Sequence, residues 1–275
     1  MSESIARRDF VASGVFALGA LASGDSFQTS PPLLKAAING GRQVGSHPAL
    51  PTAPEACAGD AVAVARAGAG AVHVHVRNAA GDQSIEPTDI ARVLTAMRTA
   101  APGTPIGVST QFGIVGEAAR RHALVEAWSV LPDFASVNFD EEGSVALARL
   151  LIERGVGVEA GLPNADAARV CAEAGLVPRC LRLMMEPRGA DVAAAVRAAD
   201  EMETVLDDAG GGRPRLLHGF RTIAWPLIEE AARRGHQTRA GLEDTFELTD
   251  GGPARDNEQI VGEAVRLILD VRSAR

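Results

Sequence analysis

From Leu33 to the C-terminus, short apolar runs alternate with alanine-rich amphipathic stretches. The apolar runs are rich in valine, isoleucine and leucine with little polar interruption, the pattern of strands buried on both faces. They fall over 33–39, 71–77, 105–110, 134–139, 155–162, 180–186, 215–220 and 238–244. Between and after them, apolar positions recur at helical spacing over 52–69, 87–100, 116–128, 144–154, 164–173, 191–208, 223–234 and 257–273, which predicts helices. Regular alternation of strand and helix implies a parallel sheet. Eight such units with no linker predict an α/β fold, a single (β/α)8 TIM barrel over 31–275. A doubly wound sheet fits less well, since it usually stops at about five or six strands. No Gly-x-Gly-x-x-Gly follows the first strand, so dinucleotide binding finds no support.

In such a barrel the site lies at the carboxyl ends of the strands, and this turns attention to the run Ala71-Val-His-Val-His-Val-Arg77. Alternate strand residues share a face, so His73, His75 and Arg77 point one way and the valines the other. Two imidazoles at this spacing converge on one cation, and an arginine beyond them suits the carboxylate of an anionic ligand. The bland alternative is a pair of core histidines bonded to backbone.

The last strand ends in Arg239-Ala-Gly-Leu-Glu-Asp244. On a regular strand Arg239 and Glu243 share the inner face, with Gly241 between them leaving room. Glu243 is then the natural third metal ligand, and Asp244 at the strand mouth is placed to act as a base. The alternative is that both acids cap a loop or the last helix. Ser109, Thr110, Asn39 and Asn138 at other strand ends are candidate substrate contacts, although asparagine there is as often a turn residue. Glu159 and Glu186 are candidate supports for the ligands or the arginines, and His218 reads as a core histidine.

The formal charge of −8 argues against nucleic acid or an anionic membrane surface as partner. Cys57, Cys171 and Cys180 form no CxxC pair and read as reduced thiols. No stretch is apolar and long enough to span a bilayer. Residues 1–30 form an extension outside the fold: Arg7-Arg8-Asp9-Phe10, a weakly hydrophobic run and Ala20-Leu-Ala22 resemble a twin-arginine export signal with a cleavage site.

Four motifs in order, Ala36-Ala-Ile-Asn-Gly40, His73-Val-His-Val-Arg77, Val108-Ser-Thr110 and Arg239-Ala-Gly-Leu-Glu-Asp244, give the chain a resemblance to a known family. It resembles the β-keto acid cleavage enzymes, whose founding activity is 3-keto-5-aminohexanoate cleavage. The resemblance implies a zinc-dependent retro-Claisen reaction in a (β/α)8 barrel and a homo-oligomer. A β-keto acid and acetyl-CoA would exchange carbon units, giving acetoacetate and a new CoA thioester. It further implies His73, His75 and Glu243 as zinc ligands, Ser109 as a substrate-binding hydroxyl, Arg239 as a catalytic arginine and Asp244 as the acidic catalyst. Other divalent transition metals suit the same ligands. Dependence on acetyl-CoA implies the cytoplasm, with the periplasm as the alternative if the twin-arginine motif acts.

Three positions depart from the family's pattern. Arg42 stands where the founding type carries an acid for the substrate's amino group, Gln111 replaces a glycine, and Gly219-Phe220-Arg221 replaces a glycine-rich or acidic segment. These departures point to a neutral or additionally anionic substrate tail. Two rival readings are an amidohydrolase-type hydrolase, which needs histidines where this chain has Glu159 and Glu186, and a barrel that binds a keto acid without cleaving it.

Overall fold

The structure, a computed structural model, describes residues 33–275. The export-like motif at Arg7-Arg8 therefore lies outside the described residues. Eight parallel strands follow in order: β1 (Leu34–Ala37), β2 (Ala71–Val74), β3 (Ile106–Ser109), β4 (Phe134–Asn138), β5 (Gly157–Leu162), β6 (Arg182–Met185), β7 (Arg215–Leu217) and β8 (Thr238–Ala240). Each pairs with its neighbour in sequence, and β8 returns to pair with β1. A bridge between Leu216 and Gln237 joins β7 to the start of β8, with Leu217 N–H donating to the Gln237 carbonyl at 3.0 Å. The fold is the (β/α)8 barrel that the sequence pattern predicts.

The surrounding helices are α1 (Pro54–Arg66), α2 (Pro87–Ala100), α3 (Ala118–Glu126), α4 (Ser144–Glu153), α5 (Ala165–Glu173), α6 (Val192–Asp208), α7 (Ala224–Arg234) and α8 (Asn257–Ser273). Local chemistry marks their starts. Proline opens α1 and α2, and the side chains of Asn164, Asp191 and Asp256 accept from the backbone N–H three residues on. The alternate strand residues Val72, Val74, Val108, Val137 and Val158 are fully buried in the apolar layer beneath these helices. No helix among the described residues is long and apolar enough to cross a membrane.

The barrel interior is polar to an unusual degree. Lys35 on β1 donates from Nζ to Glu159 Oε2 on β5 at 2.6 Å, and Arg182 Nε lies 3.2 Å from Glu159 Oε1. The Phe134 ring lies beneath both cations, 5.8 Å from Lys35 Nζ and 5.4 Å from the Arg182 guanidinium. Gly107 makes room for that ring, since a β-carbon there would come within 1.9 Å of it. Burial lowers the Lys35 pKa to about 8 against the pull of Glu159. A charged layer, two cations about one carboxylate, thus fills the barrel beneath the mouth.

The strands stop sooner than the apolar runs suggest, because the chain segments diverge at the mouth and lose their ladder partners. β2 ends at Val74, two residues before the end of the valine alternation. β8 ends at Ala240, and the chain then turns, with Asp244 and Thr245 N–H groups donating to the Gly241 carbonyl at 2.9 and 3.1 Å. A β-carbon on Gly241 would lie 2.1 Å from the Ala37 carbonyl oxygen, so the turn needs glycine there. Glu243 therefore reaches the barrel axis from a turn and not from the regular strand that the sequence pattern suggests.

Candidate metal centre and active site

His73 sits within β2 and His75 just beyond it, and both rings point into the mouth. Their centroids are 5.2 Å apart and nearly perpendicular. Glu243 arrives opposite them, with Oε2 3.7 Å from His73 Nε2 and Oε1 3.7 Å from His75 Nε2. One ligand atom from each of the three lies within 4.8 Å of the others.

The donor set fits a divalent cation. His75 Nδ1 meets Gln83 Oε1 at 2.5 Å, and since that oxygen only accepts, Nδ1 carries a proton and Nε2 is the ring atom turned to Glu243. Burial holds the His73 pKa well below its ordinary value, so that ring is neutral at pH 7. Burial alone would raise the Glu243 pKa, yet Arg239 and the two histidines hold it well below the carboxylate range. Glu243 Oε2 is buried with no hydrogen-bond partner among the described residues. Two neutral imidazoles and one ionised carboxylate are the ligands a catalytic zinc site uses.

Arg239 ties this cluster to a second acid. Its Nη2 donates to Glu243 Oε1 at 2.8 Å and to Asp244 Oδ1 at 2.7 Å. Burial raises the Asp244 pKa to about 7 despite Arg239, with Glu243 adding to the rise. Asp244 Oδ2 has no partner among the described residues, so one oxygen of the acid is unengaged. Glu186 is similarly raised by burial to about 7, and His218 Nε2 lies 3.4 Å from its Oε2. His218 is fully buried against Phe220 and stands apart from the three-ligand cluster.

A cavity of about 620 Å³ opens over the cluster. Ser109, Asn138, Glu186 and Arg239 line its deeper wall, and Arg42, Gln111 and Arg221 also face it. Ser109 Oγ accepts from the Gln111 N–H at 3.3 Å, and Asn138 Nδ2 donates to Glu141 Oε1 at 3.1 Å.

Other residues predicted from the sequence lie behind the wall. Asn39 accepts from the His75 N–H at 2.8 Å and donates to the His75 carbonyl at 3.0 Å, so it pins the backbone of a ligand. Arg77 donates to the carbonyls of Gly81, Gly40 and Arg42 and is occupied in stitching loops together. Thr110 donates to the Ser136 carbonyl at 2.7 Å. Gln83, by contrast, was not among the predicted residues. The signal for it was the Asn78-Ala-Ala-Gly81 turn, which folds the chain back so that Gln83 bridges to Arg77 and meets His75.

Residues 31–273 match the family model described as beta-keto acid cleavage enzyme. The chain belongs to that family. None of the curated proteins compared matches the chain. Among solved structures, the apo structure of ObcA aligns with a TM-score of 0.59 at 17% identity, covering 82% of this chain and 63% of ObcA. The chain thus spans less than two thirds of ObcA's length. A tryptophan synthase alpha chain from Legionella pneumophila subsp. pneumophila aligns with a TM-score of 0.57 at 11% identity, covering 88% of this chain and 94% of that one. The 3-dehydroquinate dehydratase of Geobacillus kaustophilus gives 0.54 at 12% identity, covering 89% and 92%. These likenesses are of fold alone.

Proposed function

We propose that this β-keto acid cleavage enzyme performs a zinc-dependent retro-Claisen exchange with acetyl-CoA as co-substrate. In that reaction the acyl part of the β-keto acid passes to CoA, and the two carbons left behind join the acetyl group as acetoacetate. The observation that carries the reading is the convergence of His73, His75 and Glu243, with Arg239 bridging Glu243 to an acid of pKa about 7.

Held by those three ligands, a zinc ion would supply the Lewis acidity that a ketone needs as an electron sink. The chain's own groups supply the rest. Asp244, poised near neutrality, takes up and releases a proton at its unpaired Oδ2. Arg239, which buried acids hold above its ordinary pKa, stays cationic and neutralises developing negative charge beside Glu243. The Ser109 hydroxyl and the Asn138 amide on the wall orient the substrate's oxygens. In this reading 31–275 is the catalytic unit. The need for acetyl-CoA places the reaction in the cytoplasm.

The test is a panel of β-keto acids offered with acetyl-CoA to zinc-loaded protein, following acetoacetate, alongside elemental analysis of freshly purified material. Acetoacetate release from at least one acid and about one metal per chain are expected. Inactivity across the panel, with metal bound, would overturn the reading.

A further inference from the structure

Most charged side chains on the cavity wall already have partners. Arg239 is held by Glu243 and Asp244, Arg188 lies 2.9 Å from Asp140, and Glu141 is 2.6 Å from Arg121. Arg42 and Arg221 are the exceptions among the lining arginines. Arg42 uses only Nε, which donates to the carbonyls of Leu242 at 3.2 Å and Glu243 at 3.0 Å. Its guanidinium lies 4.5 Å over the Phe246 ring, so the group is fixed while both terminal nitrogens are left unpaired.

Arg221 has no side-chain hydrogen bond or ion pair among the described residues, and it faces the same cavity. Its backbone is at φ 55, the one non-glycine in the left-handed region among the described residues, and its N–H donates to the Asp244 carbonyl at 2.7 Å. A glycine or asparagine would occupy that turn with less strain. The backbone geometry therefore gives no reason for an arginine, whereas the cavity does. The two cations also stand near each other. Burial lowers the Arg42 pKa, Asp244 and Glu243 oppose that, and Arg221 adds to it. Both opposing acids are already bonded to Arg239. Two unpaired forks on one cavity suit a second anion, which planar guanidinium groups bind in bidentate fashion.

We propose that Arg42 and Arg221 form a second anion-binding pole, so that the substrate is a β-keto acid whose tail ends in its own carboxylate or phosphate. This rests on the reading of the cavity as a keto-acid site. The phosphates of the CoA thioester are the other source of such an anion. The experiment is calorimetric binding of unreactive glutarate and adipate, against butyrate and pentanoate, to the zinc-loaded protein and to its Arg42→Met and Arg221→Asn variants. Acetyl-CoA is titrated in parallel.

The dicarboxylates are expected to bind about tenfold or more tightly than their monocarboxylate counterparts. Each variant is expected to lose most of that preference while keeping butyrate affinity, which also reports that it has folded. Asparagine is chosen at 221 because it tolerates the left-handed backbone. Equal binding of both ligand classes to the parent, or an unchanged preference in both variants, overturns the proposal. Loss of acetyl-CoA affinity alone overturns the tail assignment and gives the pole to the thioester. Selective dicarboxylate binding without turnover of any keto acid would sink the cleavage reading and leave the pole standing. Turnover of neutral-tailed acids, indifferent to both substitutions, would do the reverse.

Discussion

Gly40 and Glu243 are packed so closely that a β-carbon on Gly40 would lie 2.4 Å from Glu243 Cγ and 2.9 Å from its Cδ. The residue just past the first strand thus decides where the acid after the last strand comes to rest. Pairing of β1 with β8 makes them neighbours, and Gly40 adopts a φ of 55, in the left-handed region that favours glycine. Gly40→Ala is expected to displace the Glu243 carboxylate and weaken zinc binding by an order of magnitude or more, roughly the loss seen when a ligand's support is removed. The forced backbone also costs about 1–3 kcal/mol. Competitive zinc titration and thermal unfolding check the two effects separately. Unaltered zinc affinity would show that Glu243 has another route to the site.

Gln83 controls a ligand without touching the cavity's contents. Its Oε1 at 2.5 Å from His75 Nδ1 fixes the ring's tautomer and orientation. Removing such a partner commonly lowers metal affinity by about 10- to 100-fold. Gln83→Ala is expected to show that loss, and Gln83→Glu, which keeps an acceptor in place, to recover much of it. The comparison is made by metal titration of both variants, and an alanine variant that binds zinc like the parent would refute the role.

Asp244 sets two pH dependences of opposite sense. As a base it must be ionised, so kcat/KM is expected to rise with pH through about 7 and level off above it. Asp244→Asn should retain metal, lose about 10²- to 10⁴-fold in turnover and lose that limb of the profile. For stability the sign reverses. Between 3.8 and about 7 the folded chain keeps a proton that the unfolded chain has released. Stability of the metal-free protein therefore falls as pH rises through that window, by at most about 1.4 kcal/mol per unit. Denaturant midpoints measured across the window should fall less steeply in the Asn variant than in the parent, the slope that remains coming from Glu186 and Asp60, which burial raises to about 7 and about 6.

Much of this could be read in the sequence, and the exceptions share a cause. Helices α2 and α8 match the amphipathic stretches 87–100 and 257–273, because the start signal (Pro87 for α2, the Asp256 cap for α8) and the apolar period agree there. His73 and His75 lie together because strand parity still governs side-chain direction that close to β2. Parity fails further out. Glu243 reaches its place through a turn at Gly241, which strand periodicity does not describe. Arg77, two residues past His75, spends its guanidinium on three loop carbonyls, and Asn39 on the backbone of His75. At the mouth of a barrel a polar side chain satisfies a stranded carbonyl as readily as it faces a ligand. Residue type alone does not tell these fates apart.

The charged layer below the mouth yields the last expectation. Lys35 and Glu159 are both fully buried and 2.6 Å apart, and Arg182 stands on the far side of Glu159. Removing one member strands its partner in a low-dielectric interior, which typically costs about 3–5 kcal/mol, while replacing a pair with apolar groups is often neutral. Lys35→Met alone leaves Glu159 beside Arg182, and is therefore expected to destabilise the barrel by less than that amount. Glu159→Leu alone leaves Lys35 and Arg182 facing each other as unpaired cations, and should be at least as damaging. The double variant is expected to recover much less than a simple two-residue pair would, because Arg182 still lacks a counter-charge; adding Arg182→Met should restore most of the loss. Chemical denaturation of the single, double and triple variants measures the coupling. Strict additivity across the series would mean that the three charges stand independently, and that the layer fills space without acting as a network.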